Sequence, residues 1–417
     1  MAIWHISGGK RLEGACFVQG SKNAALPILA ASVLTPAVTE LINVPRLSDV
    51  DASLRILRQL GCVAEQRDND VYIDSSAVTS CEIPREMMET MRSSVLFMGA
   101  LLARCGEVRL SRPGGCKLGE RPVDMHLSAL EALGAEVEED GCTIVCRANR
   151  LCGSVINLPY PSVGATENAM IAACAAEGTT TITGAAREPE IVDLQEYLRK
   201  LGAYISGAGT SKITICGFAA ERHVGHRVMP DRIAASTFLC AAAAAGGDIE
   251  LRGVDPSQFS PVRHFLNAAG CDIISGKRSV RLTSDGKLSS PGRIVTEPYP
   301  GFPTDAQPLL MAALLRASGK TVFSETVFDK RFAHTAELAR FGADITVNGR
   351  EAQLWGVRSL FGAVASATDL RGGAAAVIAA LSAEGESMII DGGHIVRGYE
   401  NLDGRLRSLG ADIYMEI

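Results

Sequence analysis

Long hydrophobic runs are missing from this 417-residue sequence. Its apolar stretches, such as Phe238–Ala245, fall well short of the roughly 18 residues that a membrane-spanning helix needs, so no membrane span is expected. The opening MAIWHISGGK has no positively charged region followed by an apolar one, and no secretory leader is expected. No run of Lys or Arg occurs, and 41 basic against 47 acidic residues give a formal charge of −6. The basic stripe of a nucleic-acid binder is therefore absent. Twelve cysteines are scattered from Cys16 to Cys271, none of them in a CxxC pair. They read as reduced, mostly buried thiols of a cytoplasmic protein rather than as a disulfide framework. There is no GxxxxGK[ST], no GxGxxG following a strand and no HExxH, which removes the ordinary phosphate loop, the dinucleotide fold and the zinc protease. The lone close pair His223 and His226 is expected in a polar turn with no third ligand, so neither a metal nor an organic cofactor is expected.

Apolar residues make up 47% of the chain and charged residues 21%, the proportions of an ordinary globular protein. At this length one small core does not suffice, and two domains are expected.

One phrase recurs six times, as LRQLGCVAE, LEALGAEVE, LRKLGAYIS, LNAAGCDII, LARFGADIT and LRSLGADIY. Its glycines are Gly61, Gly134, Gly202, Gly270, Gly342 and Gly410. Each follows the last turn of an amphipathic helix, where the chain turns into a left-handed conformation that glycine adopts at least cost. The alternation after it reads as a half-buried strand. A second, Ala-rich phrase interleaves with the first: ILAASVLTPAVTELI, LLARCGEVRL, AACAAEGTTTI, AAAAAGGDIEL, ALLRASGKTVF and AALSAEGESMII. Helices with so little polar surface must be buried. Each unit of about 70 residues is longer than solenoid repeats of 20–50, so closed domains of three units each are expected. This predicts two inside-out α/β domains, with sheets placed around buried helices.

Several short segments carry chemistry. Pro113–Pro122 holds three glycines, two prolines, Cys116, Lys117, Glu120 and Arg121. It reads as a loop whose thiol is either incidental or made reactive by the neighbouring cations, and a mobile loop of this kind suits a lid. Gly20–Pro27 precedes an Ala-rich helix, so Lys22 and Asn23 sit either in a plain capping turn or at an anion site. Asp329–Phe332, Thr368–Gly373 and Val396–Tyr399 place Arg331, Arg371 and Arg397 at corresponding junctions of successive units. Arginine suits carboxylate and phosphate because its planar fork gives two parallel bonds, although each alone fits a surface salt bridge. Pro300–Asp305 is a rigid turn whose carboxylate is either a helix cap or a general base.

Together these segments resemble the MurA-type enolpyruvyl transferases (UDP-N-acetylglucosamine 1-carboxyvinyltransferases) of the EPSP synthase superfamily. The motifs GSKNAALPIL, SRPGGCKLGERPVDMHL, PSVGATEN, AAREPEIVDL, PYPGFPTDAQP, ETVFDKRFAH, ATDLR and IVRGYENLDGRLRSLGAD run in one colinear order from about residue 20 to the C-terminus. The resemblance implies one domain over residues 21–229 and a second over 1–20 plus 230–417, with the active site in the cleft between them. It implies transfer of the enolpyruvyl group of phosphoenolpyruvate to the 3′-hydroxyl of UDP-N-acetylglucosamine, releasing phosphate, as the first committed step of peptidoglycan synthesis. Lys22, Asn23, Arg121, Arg331, Arg371 and Arg397 would hold phosphoenolpyruvate. Cys116 would be the general acid and the target of fosfomycin, Asp305 would take the hydroxyl proton, and Asp369 would assist the acid–base steps. Arg92, Arg121, Pro122, Val123, Asp124, Met125, Ser162, Val163 and Val327 would line the nucleotide-sugar site. The chain departs from the family pattern at Ala234–Ser236, at Lys330, at Gly372-Gly373 and in MRSSVLFMGALL. The sister transferase acting on shikimate 3-phosphate and a non-catalytic UDP-sugar-binding paralogue stay open as alternatives; the PGGC loop counts against the first and the intact catalytic set against the second.

Overall fold

A computed structural model describes residues 2–111, 123–218 and 222–416. These residues fall into two compact units, one of residues 20–229 and the other of residues 2–19 with 230–416. Three four-stranded sheets belong to each, and all six share one plan. In the sheet built from Val155–Asn157, Thr179–Thr183, Lys212–Phe218 and Ala203–Ser206, the first two strands are parallel and the later pairings antiparallel.

The Ala-rich segments form the helices Lys22–Ala31, Phe97–Cys105 and Val163–Ala173 in one unit. Arg232–Ala245, Gln307–Ala313 and Leu370–Ser382 play the same part in the other. Every residue from Arg371 to Ser382 is buried, as a helix apolar on all sides requires. The amphipathic helices lie further out. In Ser48–Gln59, Val50, Ser53, Leu54 and Leu57 face inward while Asp51, Arg55 and Arg58 remain exposed, which is the helical period. The six repeat glycines have φ between +89° and +113°, a region that disfavours any side chain.

Sequence-remote strands complete the sheets. Ala2–Ser7 lies antiparallel between Glu386–Asp391 and Asp412–Glu416. Leu12–Phe17 runs parallel to Gly247–Arg252, and Val224–Arg227 runs parallel to Val38–Ile42.

One expectation needs correction. His226 is not in a turn: it is buried on the strand Val224–Arg227, where Nε2 meets Asp193 Oδ1 at 3.1 Å and Nδ1 meets Lys200 Nζ at 3.3 Å. Among the described cysteines, all of them free thiols, the majority are buried. Cys16, Cys62, Cys146, Cys174, Cys240 and Cys271 are buried, but Cys105, Cys142, Cys152 and Cys216 are exposed, because they sit at a helix end, a hairpin and outward strand positions. No helix among the described residues is long and apolar enough to cross a membrane.

Candidate active site

The turn before the helix Gln307–Ala313 is fastened by Gly301 N to Pro298 O and Glu297 N to Phe302 O, both 2.9 Å. It delivers Thr304–Ala306 as a 3-10 turn with Asp305 at its centre. Asp305 is no helix cap: its carboxylate receives two arginines. Oδ1 accepts Arg331 Nη2 at 3.1 Å, and Oδ2 accepts Arg371 Nε and Nη2 at 3.2 and 3.1 Å. Arg331 also donates Nε and Nη2 to the Thr304 carbonyl at 3.0 and 2.8 Å, so its guanidinium plane is fixed from two directions. The arginine side chains are 1% and 3% exposed and that of Asp305 is 30% exposed. The carboxylate thus covers two buried cations.

Arg371 lies in the first turn of its helix. Asp369 caps that helix, with Oδ1 accepting Arg371 N at 2.9 Å and Gly372 N at 3.1 Å. The same oxygen is 3.9 Å from Arg331 Nη1. The Arg371 guanidinium stands 5.4 Å from the centre of the Tyr399 ring, a cation–π arrangement. Burial works against its charge, but Tyr399, Asp305 and Asp231 more than offset this and hold it firmly protonated. Asp231 is itself the cap of Arg232–Ala245, accepting from Ile233 N and Ala234 N at 2.8 and 2.9 Å. The atypical Ala234–Ser236 stretch is fully buried there, and Ser236 Oγ donates to the Arg232 carbonyl at 2.7 Å.

His334 is buried beside Arg331. Its Nδ1 lies 2.9 Å from the Arg331 carbonyl, which only accepts, so Nδ1 carries the proton and Nε2 is bare. Burial first and the Arg331 charge second push its pKa down to about 4. The Gly372-Gly373 pair has a steric reason. A Cβ at Gly372 would lie 2.4 Å from Thr368 Oγ1 and 3.0 Å from His334 Cβ, and one at Gly373 would lie 2.7 Å from Ile395 Cγ1. The helix start therefore packs directly on the turns Arg331–His334 and Ile395–Arg397. The second turn carries Arg397, half-buried, and Asp391 secures it by accepting from His394 N and Ile395 N at 2.6 and 3.1 Å.

Within the other unit, Ser21 caps the helix that begins at Lys22, and Lys22 Nζ meets Asp49 Oδ2 at 2.6 Å. Its charge is thus shared with a carboxylate that the sequence reading did not single out. Asn23 is exposed in the same first turn. Ser162 caps Val163–Ala173 through Ala165 N at 3.4 Å. Val123 is buried ahead of Asp124–Ala132, with Asp124 exposed and Met125 half-buried. Glu167 is buried, and burial followed by the charges of Glu190 and Glu188 raises its pKa well above the usual carboxylate range. Val327 is half-buried in the loop before Arg331, its N–H given to Glu325 Oε1 at 2.8 Å.

Cys116, Arg121 and Pro122 lie outside the described residues, as does the side chain of Arg92. The structure brings Asp305, Arg331, Arg371 and Asp369 together. Sequence reasoning missed Asp49, Thr304, Glu325, His334 and Tyr399. Glu325, His334 and Tyr399 stand inside motifs already picked out for their arginines, and that proximity was the available signal. No group of three or more metal-binding side chains occurs among the described residues.

The family described as EPSP synthase (3-phosphoshikimate 1-carboxyvinyltransferase) matches residues 6–406. UDP-N-acetylglucosamine 1-carboxyvinyltransferase 2 of Caldanaerobacter subterraneus is 46% identical over 99% of this chain and 99% of its own. UDP-N-acetylglucosamine 1-carboxyvinyltransferase of Geotalea uraniireducens is 45% identical, covering 98% of both. Among solved structures, the enolpyruvyl transferase NikO from Streptomyces tendae superposes with a TM-score of 0.90 at 26% identity, over 99% of this chain and 98% of that one.

Proposed function

The chain belongs to the EPSP synthase family, and from that premise we propose that it transfers the enolpyruvyl group of phosphoenolpyruvate to the 3′-hydroxyl of UDP-N-acetylglucosamine, releasing phosphate. The observation that carries this reading is full-length similarity: relatives bearing that activity in their names are 44–47% identical over at least 97% of their own length. The PGGC loop, expected in these enzymes and not in the shikimate branch, separates the two acceptors. The reaction belongs to peptidoglycan synthesis and runs in the cytoplasm.

The chemistry needs an acid, a base and fixed positive charge. Phosphoenolpyruvate brings a carboxylate and a phosphate, and Lys22, Asn23, Arg121, Arg331, Arg371 and Arg397 receive them. Cys116 protonates the methylene carbon while the sugar oxygen attacks the adjacent carbon and its proton passes to Asp305, giving a tetrahedral phospho-ketal. The carbon–oxygen bond to phosphate then breaks as the methyl group gives a proton back to the Cys116 thiolate, with Asp369 assisting; the double bond re-forms and the proton held by Asp305 leaves with the phosphate. Cations already fixed by Thr304 and Tyr399 need no reorganisation as charge develops on the phosphate, which is where such groups lower a barrier most. Asp305 balances Arg331 and Arg371 when no anion is present. An incoming carboxylate or phosphate takes over that balance and leaves Asp305 a better proton acceptor, since fewer donors then hold its charged form. Arg92, Arg121 to Met125, Ser162, Val163 and Val327 hold the nucleotide sugar.

The test is direct. Incubation with both substrates should give, by mass spectrometry, a UDP-sugar carrying one enolpyruvyl group and one released phosphate per sugar. Unchanged nucleotide sugar would overturn the proposal.

A further inference from the structure

Glu325 directly follows the strand Lys320–Ser324 and is 1% exposed. Its carboxylate accepts four hydrogen bonds from three neutral donors. Oε1 takes Val327 N at 2.8 Å, Phe328 N at 3.0 Å and Thr304 Oγ1 at 3.1 Å, and Oε2 takes Thr304 Oγ1 at 3.0 Å. Thr304 continues the connection, because its carbonyl holds both Nε and Nη2 of Arg331. Arg331 in turn bonds Asp305 and stands 5.9 Å from the Phe328 ring. Glu325, Thr304, Arg331 and Phe328 therefore form a closed ring of contacts, and the next residue after Thr304 is the carboxylate assigned to take the proton.

We infer that Glu325 is a positioning residue: its buried carboxylate ties the Val327–Phe328 loop to Thr304 and so fixes Asp305 and Arg331 relative to the bound nucleotide sugar. It touches no reacting atom. The inference rests on the transferase reading above and adds a residue to which that reading gives no part. What matters is the shape of the acceptor more than its charge. A Gln at 325 keeps Oε1 for the two amides and can donate Nε2–H to the Thr304 hydroxyl, which accepts as well as it donates. A Leu fills the space and ties nothing.

The experiment compares steady-state kinetics of the parent, Glu325→Leu, Glu325→Gln and Thr304→Val, with melting curves on each. A loose reacting centre costs on the order of 10- to 100-fold in rate. Glu325→Leu and Thr304→Val should each lose that much kcat and raise KM for the nucleotide sugar, while Glu325→Gln retains most of the parent rate. The double variant should be no worse than Glu325→Leu alone, because both cut one connection. If Glu325→Leu does not fold, Thr304→Val decides alone, since it removes only the hydroxyl. Parent-like turnover in a folded Thr304→Val would overturn the inference. So would a Glu325→Gln loss as large as that of Glu325→Leu, which would assign the role to charge. A parent with no turnover on UDP-N-acetylglucosamine would instead defeat the transferase reading itself.

Discussion

A neutral histidine packed against an arginine has a cost that depends on pH. His334 has a pKa of about 4 in the folded chain against 6.5 for an ordinary histidine. Below 6.5 the unfolded chain takes up a proton that the folded chain refuses until pH is near 4, so this site removes stability as pH falls through that window. Between pH 7.5 and 5 the two values correspond to a loss of about 2 kcal/mol. The perturbation is His334→Asn, which removes the titration and keeps an N–H to give to the Arg331 carbonyl. Both tryptophans, Trp4 and Trp355, belong to the same unit as His334, and Trp4 is 1% exposed. Tryptophan fluorescence in urea therefore reports the unfolding of that unit. The variant starts less stable at pH 7.5, because a smaller side chain leaves a gap, but its stability should fall by about 2 kcal/mol less than the parent's on going to pH 5. Parallel stability profiles for the two proteins would refute the reasoning and mean that His334 is protonated in the folded chain.

Three further outcomes are expected. Asp305→Ala should keep UDP-sugar binding and stop product formation, by about 100-fold or more for loss of a general base; calorimetry should show phosphoenolpyruvate bound at least as tightly, because Arg331 and Arg371 lose their internal counter-charge. Cys116→Ser should lose most turnover while melting near the parent temperature; it is also the control for any alkylation assay, since Cys105, Cys142, Cys152 and Cys216 are exposed and will react. Gly20→Ala would place a Cβ 1.7 Å from the Asn43 carbonyl oxygen, and the displacement should cost about 3 kcal/mol, roughly 10 °C by differential scanning calorimetry.

The fold was legible because its signals are local and repeated. A left-handed turn after each outer helix demands glycine, so six glycines mark six units, and Ala-rich helices announce their own burial. Strand partners were not legible: nothing in Ala2–Ser7 says that it inserts between Glu386–Asp391 and Asp412–Glu416. The same limit governs the site. Each arginine of the Asp305 cluster was visible as a residue type fit for an anion, but Arg331 and Arg371 come from 26 and 66 residues away, and their meeting is a product of packing. Lys22 was read for its charge alone, and Asp49, one helix later, shares it. His226 was misplaced because polar neighbours in sequence do not reveal the buried Asp193 opposite. The Gly372-Gly373 pair stood out in the sequence only as a departure from the family pattern, and its reason, the Thr368, His334 and Ile395 side chains in the space that a Cβ would occupy, is a matter of packing.

The central claim is the acceptor, and phosphate release from phosphoenolpyruvate measures it with least ambiguity when run in parallel with UDP-N-acetylglucosamine and with shikimate 3-phosphate. Release with the nucleotide sugar alone, abolished in Cys116→Ser, is the expected result. Release with shikimate 3-phosphate, or with neither while UDP-N-acetylglucosamine still binds, would contradict it.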